Sequence, residues 1–178
     1  MLRLRSDVRI TPLRPEHADR MYRWMRDPVV ASSIGLRSVP SPERTAAWIG
    51  NSMKDPLIRA YAVLLEEQHV GNVILDKWDT YLKTCRLSVY IGESSARRNG
   101  VGRTAVYRAL AEGFTNHDLH KVWLTVHADN SGAIKTYATL GFKLEGVLRE
   151  EFLLGNRRID AHYMGILRPE FEAVSKTL

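Results

Sequence analysis

The segment from Arg86 to Val126 constrains this chain more than any other. Arg86-Leu87-Ser88-Val89-Tyr90-Ile91 alternates, with Leu87, Val89 and Ile91 on one face of a strand and Arg86, Ser88 and Tyr90 on the other. A polar loop, Glu93 to Asn99, then leads into a helix whose apolar positions include Val101, Ala105, Ala109, Leu110 and Phe114. Lys121 to Val126 is a strand again. A strand, a helix and a second strand at this spacing make a long crossover, so a helix must lie on one face of a sheet.

The rest of the chain is not a strict alternation of strand and helix. Val8 to Leu13 alternates as a strand, and a helix follows from near Pro15 with Ala18, Met21, Tyr22 and Met25 on its apolar side. Asp27-Pro28 is expected to end it. Ser41-Pro42-Glu43 supplies a cap, a first-turn proline and an acid for a second helix running to about Met53. Arg59 to Leu65 and Val70 to Leu75 form a hairpin across Glu66 to His69. Near the end, Asn130 to Leu140 is a helix stopped by Gly141, and two strands meet at Gly155-Asn156. The order β-α-α-β-β-β-α-β-α-β-β describes a mixed α/β fold whose central strands form an antiparallel meander before the crossover. One domain spanning residues 1–178 is expected, since no repeat, linker or low-complexity tract interrupts the chain.

Composition removes several classes of function. With one cysteine, Cys85, the chain can hold neither an internal disulfide nor a cysteine-rich zinc site. His117-Asp118-Leu119-His120 is too slight to read as a metal site, and no metal is expected. No apolar run is long enough to cross a bilayer and the first residues lack a signal core, so a soluble cytoplasmic protein without membrane partners is expected. The formal net charge of +6 favours an anionic partner. The one tight basic cluster is Arg97, Arg98 and Arg103, and no basic stripe carries interleaved aromatics, so nucleic acid is not the expected partner.

That cluster lies in Arg97-Arg98-Asn99-Gly100-Val101-Gly102-Arg103-Thr104, between strand and helix. A helix start leaves backbone N–H groups unpaired and carries partial positive charge, so it suits a phosphate. Glycines permit close approach and arginines add charge-assisted hydrogen bonds. A P-loop is excluded, because no Gly-Lys-Ser/Thr follows. Gly100-Val101-Gly102-Arg103-Thr104-Ala105 does fit the dinucleotide fingerprint, with Asp129 placed as a ribose acid. Against an NAD-binding oxidoreductase, a seven-residue polar loop precedes the glycines, and too little chain follows Asp129 to complete a doubly wound sheet.

A second segment brings in a resemblance. Leu119 to Val126 runs into Asn130-Ser131-Gly132-Ala133-Ile134-Lys135-Thr136-Tyr137, followed by Leu140-Gly141-Phe142 and Glu145-Gly146. Together with Arg97, Gly100 and Gly102, this resembles the GNAT acetyltransferase superfamily, most firmly from Arg86 to Leu167. Within it the chain is similar to the branch of spermidine, ribosomal-protein N-terminal and nucleotide-amino-sugar acetyltransferases. The resemblance implies a mostly antiparallel twisted sheet with splayed middle strands and about four helices. It implies acetyl-CoA as co-substrate, with the pyrophosphate held by Arg97, Arg98, Asn99, Gly100, Val101, Gly102, Arg103 and Thr104. Asn130 would help hold the pantetheine arm, the backbone at Tyr90 and Ile91 would bond it, and Tyr137 would sit by the sulfur. A phenol can protonate or hydrogen-bond a departing thiolate, although a helix tyrosine can also simply pack.

The chain departs from that pattern at Arg86, where related enzymes often carry a glutamate base. His127 is the next candidate base and Glu93 a weaker one. The first eighty residues should choose the acceptor, through residues such as Tyr22, Trp24, Arg26, Asp27 and Trp78. Trp24 and Arg86 are expected to bind it. Arg86 and the basic balance point to an acceptor carrying negative charge, such as a nucleotide-linked amino sugar, with a peptide or protein N-terminus next. Arg86 paired with a nearby acid is an equal alternative. A non-catalytic acyl-CoA-binding module and a homodimer remain open expectations.

Overall fold

The computed structural model describes residues 3–177. Strands β1 (Val8–Pro12), β2 (Arg59–Leu65), β3 (Gln68–Asp79), β4 (Thr84–Ile91), β5 (Lys121–His127), β6 (Lys143–Leu154) and β7 (Arg157–Leu167) form one sheet in the order β1-β2-β3-β4-β5-β7-β6. Every neighbouring pair is antiparallel except β4–β5, which is parallel. This is the mixed, mostly antiparallel sheet expected, and it overturns the dinucleotide fold, which needs a parallel doubly wound sheet.

Among the described residues six α-helices accompany the sheet, two more than the pattern predicts: α1 (Ala18–Met25), α2 (Pro28–Ser33), α3 (Pro42–Ser52), α4 (Val101–Ala111), α5 (Ser131–Thr139) and α6 (Arg168–Ser175). Asp27-Pro28 not only ends α1 but begins α2. The Asp27 carboxylate accepts from the Val29 N–H, and Pro28 occupies the first turn, where its missing donor costs nothing. The hairpin turn is tighter than expected. Glu66 and Glu67 both adopt left-handed backbone (φ 48° and 66°), and pairing resumes at Leu65↔Gln68. No helix among the described residues is long and apolar enough to cross a membrane.

The sheet carries a core on each face. Helices α4, α5 and α6 cover the larger one, in which Val101, Ala105, Val106, Ala109 and Leu110 of α4 meet Cys85, Leu87, Val122 and Leu124. Each fully buried Val or Leu contributes about 1.5–3 kcal/mol. Helices α1 to α3 cover the smaller core, which joins Met21, Trp24, Val30 and Ile49 to Ala62, Leu64 and Tyr90. The alternation of β4 therefore assigns Leu87 to the α4 face and Arg86, Ser88 and Tyr90 to the α1–α3 face. On β5, Val122, Leu124 and Val126 face α4, which leaves Trp123, Thr125 and His127 on the opposite face.

The parallel pairing is short. It comprises Thr84↔Lys121, Cys85↔Val122 and Arg86↔Trp123, and then stops. Beyond Arg86, β4 stays paired to β3 as far as Gly71↔Ile91, and β5 stays paired to β7 as far as His127↔Ala161. The two middle strands thus part like a V with Arg86 near its apex. A buried strand edge without partners is unfavourable, so such a gap calls for a guest that can hydrogen-bond to it.

Candidate active site

A cleft of about 1100 Å³ runs through the V. It is lined from the α4–α5 face by Ala133 and Tyr137 and from the α1–α3 face by residues including Met21, Met25, Val30, Trp48 and Asp76. Residues 86–91 of β4 and 125–127 of β5 form its sides. The parted strands are therefore a window joining the two faces of the sheet.

On one side of the window lies the start of α4. Gly100, its N-cap, has φ +80°, a conformation that disfavours any L side chain. The Thr104 N–H already donates to the Gly100 carbonyl, whereas the N–H groups of Val101, Gly102 and Arg103 have no partner among the described residues. A Cβ on Gly102 would meet only Ile91 Cγ1, at 3.6 Å, so the loop adjoins the cleft wall at Ile91 and its backbone is open. Three unpaired donors at the positive end of a helix fit a pyrophosphate. Arg98 and Asn99 are exposed beside them.

The structure corrects several side-chain expectations in this loop. Thr104 is fully buried, and its hydroxyl accepts from the Arg5 N–H at 3.1 Å, so it faces the N-terminal segment rather than a phosphate. Arg103 donates to the Arg3 carbonyl at 2.6 Å and Val101 is a core residue, so each offers only its backbone. Arg97 turns inward: Nε donates to the Ile91 carbonyl (2.9 Å), and Nη2 donates to the Gly92 carbonyl (2.8 Å) and pairs with Asp27 (3.1 Å). Its guanidinium fastens the end of β4 to the start of α2. Together with the Val29 N–H, the pairing holds the Asp27 carboxyl below its ordinary range.

Tyr137 and Asn130 reach the cleft as expected. Asn130 caps α5, its Oδ1 accepting from the Ala133 N–H at 3.1 Å, which leaves its amide N–H groups free. The Tyr137 ring packs 5.7 Å from Phe142, and its hydroxyl has no protein partner among the described residues. Burial pushes its phenol up to about 12, so it stays protonated at neutral pH. His127 lies against Phe152 (4.2 Å) with Nε2 buried and unpartnered. The ring lines the cleft, and burial holds its pKa below the ordinary histidine value, which favours the neutral form. Glu93 does not line the cleft. Cys85 is fully buried, and its thiol is pushed up to about 12, which removes it as a nucleophile.

The acceptor side departs most from expectation. Trp24 is a core residue, set edge-on to His69 (4.7 Å) and Tyr90 (6.3 Å) and pressed against Gly92, where a Cβ would come within 2.0 Å of its ring. It does not line the cleft. Tyr22 and Arg26 border an adjoining hollow of about 610 Å³ that shares Met25, Leu36, Ser38, Val39 and Pro40 with the cleft, and Trp78 packs on His117. Arg86 does reach the cleft, but it is tied to Asp76 by two hydrogen bonds, Nε to Oδ1 (2.8 Å) and Nη2 to Oδ2 (2.6 Å). Its charge is thereby matched by Asp76. Residues that sequence reasoning missed include Asp76, Ser88, Thr125, Arg44 and the apolar wall of Met21, Met25, Val30 and Trp48. Asn72, Ile74 and Asp76 alternate along β3, and this was the available signal that Asp76 shares a face with its neighbours.

Comparison with known proteins agrees with this geometry. Residues 7–143 match the model of the acetyltransferase (GNAT) domain family. A spermidine N(1)-acetyltransferase of Vibrio cholerae is 40% identical over 72 residues, 40% of this chain and 42% of that protein. Its Escherichia coli K12 counterpart is 36% identical over 78 residues, 44% of this chain and 42% of that protein, so the matched stretch spans about two fifths of these relatives. An L-amino acid N-acetyltransferase of E. coli K12 is 27% identical over 127 residues, covering 71% of this chain and 78% of that protein. The crystal structure of the V. cholerae spermidine N-acetyltransferase in complex with CoA and spermine superposes with a TM-score of 0.89 at 24% identity, covering 94% of this chain and 99% of that one. With a family match over most of its length and a fold of the same kind, this chain belongs to the GNAT acetyltransferase family.

Proposed function

We propose that the protein is an N-acetyltransferase that moves the acetyl group of acetyl-CoA directly to a primary amine. The observation that carries this is the window between β4 and β5, with unpaired helix-start donors beside it and Tyr137 among the residues that line it. The N–H groups of Val101, Gly102 and Arg103 would hold the pyrophosphate, with Arg98 and Asn99 beside them. The free edge of β4 at Tyr90 and Ile91, with the Asn130 amide, would hold the pantetheine arm. Bound acetyl-CoA supplies an activated acetyl thioester.

The chain's own groups then have distinct tasks. His127, which lines the cleft and which burial favours in its neutral form, accepts the proton that the amine must lose before it attacks. A main-chain N–H on the unpaired edge of β4 stabilises charge developing on the thioester oxygen. Tyr137 donates its proton to the leaving sulfur, a role worth roughly 10²–10⁴-fold in rate. No nucleophilic side chain is needed, which agrees with the buried Cys85.

Polyamines are the first acceptors to test, because two of the relatives named above, at 40% and 36% local identity, are spermidine enzymes. The Arg86–Asp76 pair matches the charge on which the argument for an anionic amino sugar rested. Calorimetry with acetyl-CoA, followed by CoA release with spermidine, amino acids, short peptides and phosphate-bearing amino sugars, tests the reading. Absence of acetyl-CoA binding overturns it.

A further inference from the structure

We propose that Asp76, oriented by Arg86, is the group that receives the protonated amine of the acceptor, so that the acceptor class is a cationic primary amine on an apolar stem. The proposal rests on the acetyltransferase reading and names the recognition element of the same cleft. Asp76 stands directly across from Arg86 in the β3–β4 ladder, at the last regular pair before the register shifts. Lys77, next along, has left-handed backbone (φ 49°), so a bulge begins where Asp76 ends. Bulges beside functional sites re-aim side chains. Arg86 is also the last residue of β4 paired to β5. Asp76 therefore sits one strand away from the apex of the window, on the α1–α3 face.

Of the acids there, Asp76 is the enclosed one. Among the described residues, the cleft is lined by the cations Arg44, Arg86 and Arg97, of which Arg44 is exposed, and by two carboxylates, Asp76 and Asp129. Asp129 is exposed and engaged by Arg157 at 3.0 Å. Asp76 is the more enclosed, its side chain 21% exposed beside an Arg86 that is 30% exposed. Arg86 uses one acceptor direction on each oxygen, and an ionised carboxylate keeps a second on each. A bidentate pair also fixes the orientation of those remaining lone pairs. Around this polar spot the α1–α3 wall is apolar at Met21, Met25, Val30, Ile34 and Trp48. An ammonium can thus dock on Asp76 while its stem lies on that wall. On this account Asp76 is a binding residue and Arg86 a positioning residue.

The test compares two variants that both break the ion pair, the isosteric Asp76→Asn and the truncating Arg86→Gln. Asp76→Asn removes the receiving carboxylate, whereas Arg86→Gln removes a competing cation. With spermidine and n-butylamine as acceptors, Asp76→Asn should raise the amine KM about ten- to hundredfold and leave the acetyl-CoA Kd unchanged. Arg86→Gln should lower the amine KM and also lower kcat, because orientation is lost. A pair that serves only to brace the sheet would give both variants the same change, and that result overturns the proposal. Should Asp76→Asn not fold, the wild-type protein carries the comparison. n-Butylammonium should compete with the acceptor and 1-butanol should not; equal competition overturns the proposal. Acetyl-CoA binding without turnover of any amine refutes this proposal together with the acetyltransferase reading, whereas amine turnover with equal KM changes refutes this proposal alone.

Discussion

Acidification should destabilise the protein through His69. This side chain is buried between β3 and α1, with Nε2–H donating to Asn72 Oδ1 at 2.9 Å and the Asn72 amide donating to the Tyr90 hydroxyl at 2.6 Å. Its Nδ1 has no partner, and the rings of His17 and Trp24 lie 4.5 and 4.7 Å away. A second proton there would find no acceptor, and burial accordingly pushes the pKa from 6.5 down to about 4. The folded state thus binds the proton more weakly than the unfolded chain. Stability is fully present above pH 6.5 and is lost as pH falls from 6.5 towards 4. At 1.36 kcal/mol per unit, the loss reaches about 2 kcal/mol by pH 5 and about 3 kcal/mol by pH 4. With a urea slope of about 2 kcal/mol/M, the unfolding midpoint should drop by about 1 M between pH 7 and pH 5. His17 and His127 are also held low and add to the same trend, so the decisive measurement is a difference. His69→Gln keeps a donor towards Asn72 and cannot titrate. Urea titrations from pH 7 to 4.5 should show a clearly shallower pH dependence in His69→Gln. Equal slopes in the two proteins would refute the reasoning.

Three further outcomes follow from the cleft. Tyr137→Phe should lower kcat roughly 10²–10⁴-fold with little change in the acetyl-CoA Kd, as read by steady-state kinetics beside calorimetry; an unchanged kcat where chemistry limits would retire the phenol. Gly100→Val should weaken acetyl-CoA binding and cost about 1–2 kcal/mol of stability, because φ +80° is strained for a branched side chain; calorimetry and thermal melting check both. Gly92→Ala should destabilise by about 1–3 kcal/mol and disturb the acceptor wall, since its Cβ would come within 2.0 Å of Trp24; the melting temperature and the amine KM report it.

What could be read from the sequence was what local chemistry decides. The Gly100 turn, the Ser41 and Asn130 caps and the alternation of β4 each depend on residues within a few positions. The short α2 was hidden, because six residues carry too little periodicity and Asp-Pro signals both an ending and a beginning. Trp24 and Tyr22 sit two apart on one helix, and only the packing of α1 on His69 and Tyr90 shows that Trp24 is the one turned inward. The partners of Arg86 and Arg97 were illegible for a different reason. Asp76 is ten residues from Arg86 and Asp27 is seventy from Arg97, so each contact depends on register or on how helices pack over the sheet. Side chains read as free charges in a list of residues become fasteners once the fold supplies an acid.

The parting of β4 from β5 bears on how such proteins diverge. A gripping surface made of main-chain groups is indifferent to most substitutions, since every residue but proline presents the same donor and acceptor. The α1–α3 wall has no such insurance, because Met21, Trp48 and Asp76 present to the cleft only what their side chains carry. Mutation can therefore rewrite the partner while the donor's seat stays serviceable. A fold shared at a TM-score of 0.89 with only 24% identity is compatible with this division of labour.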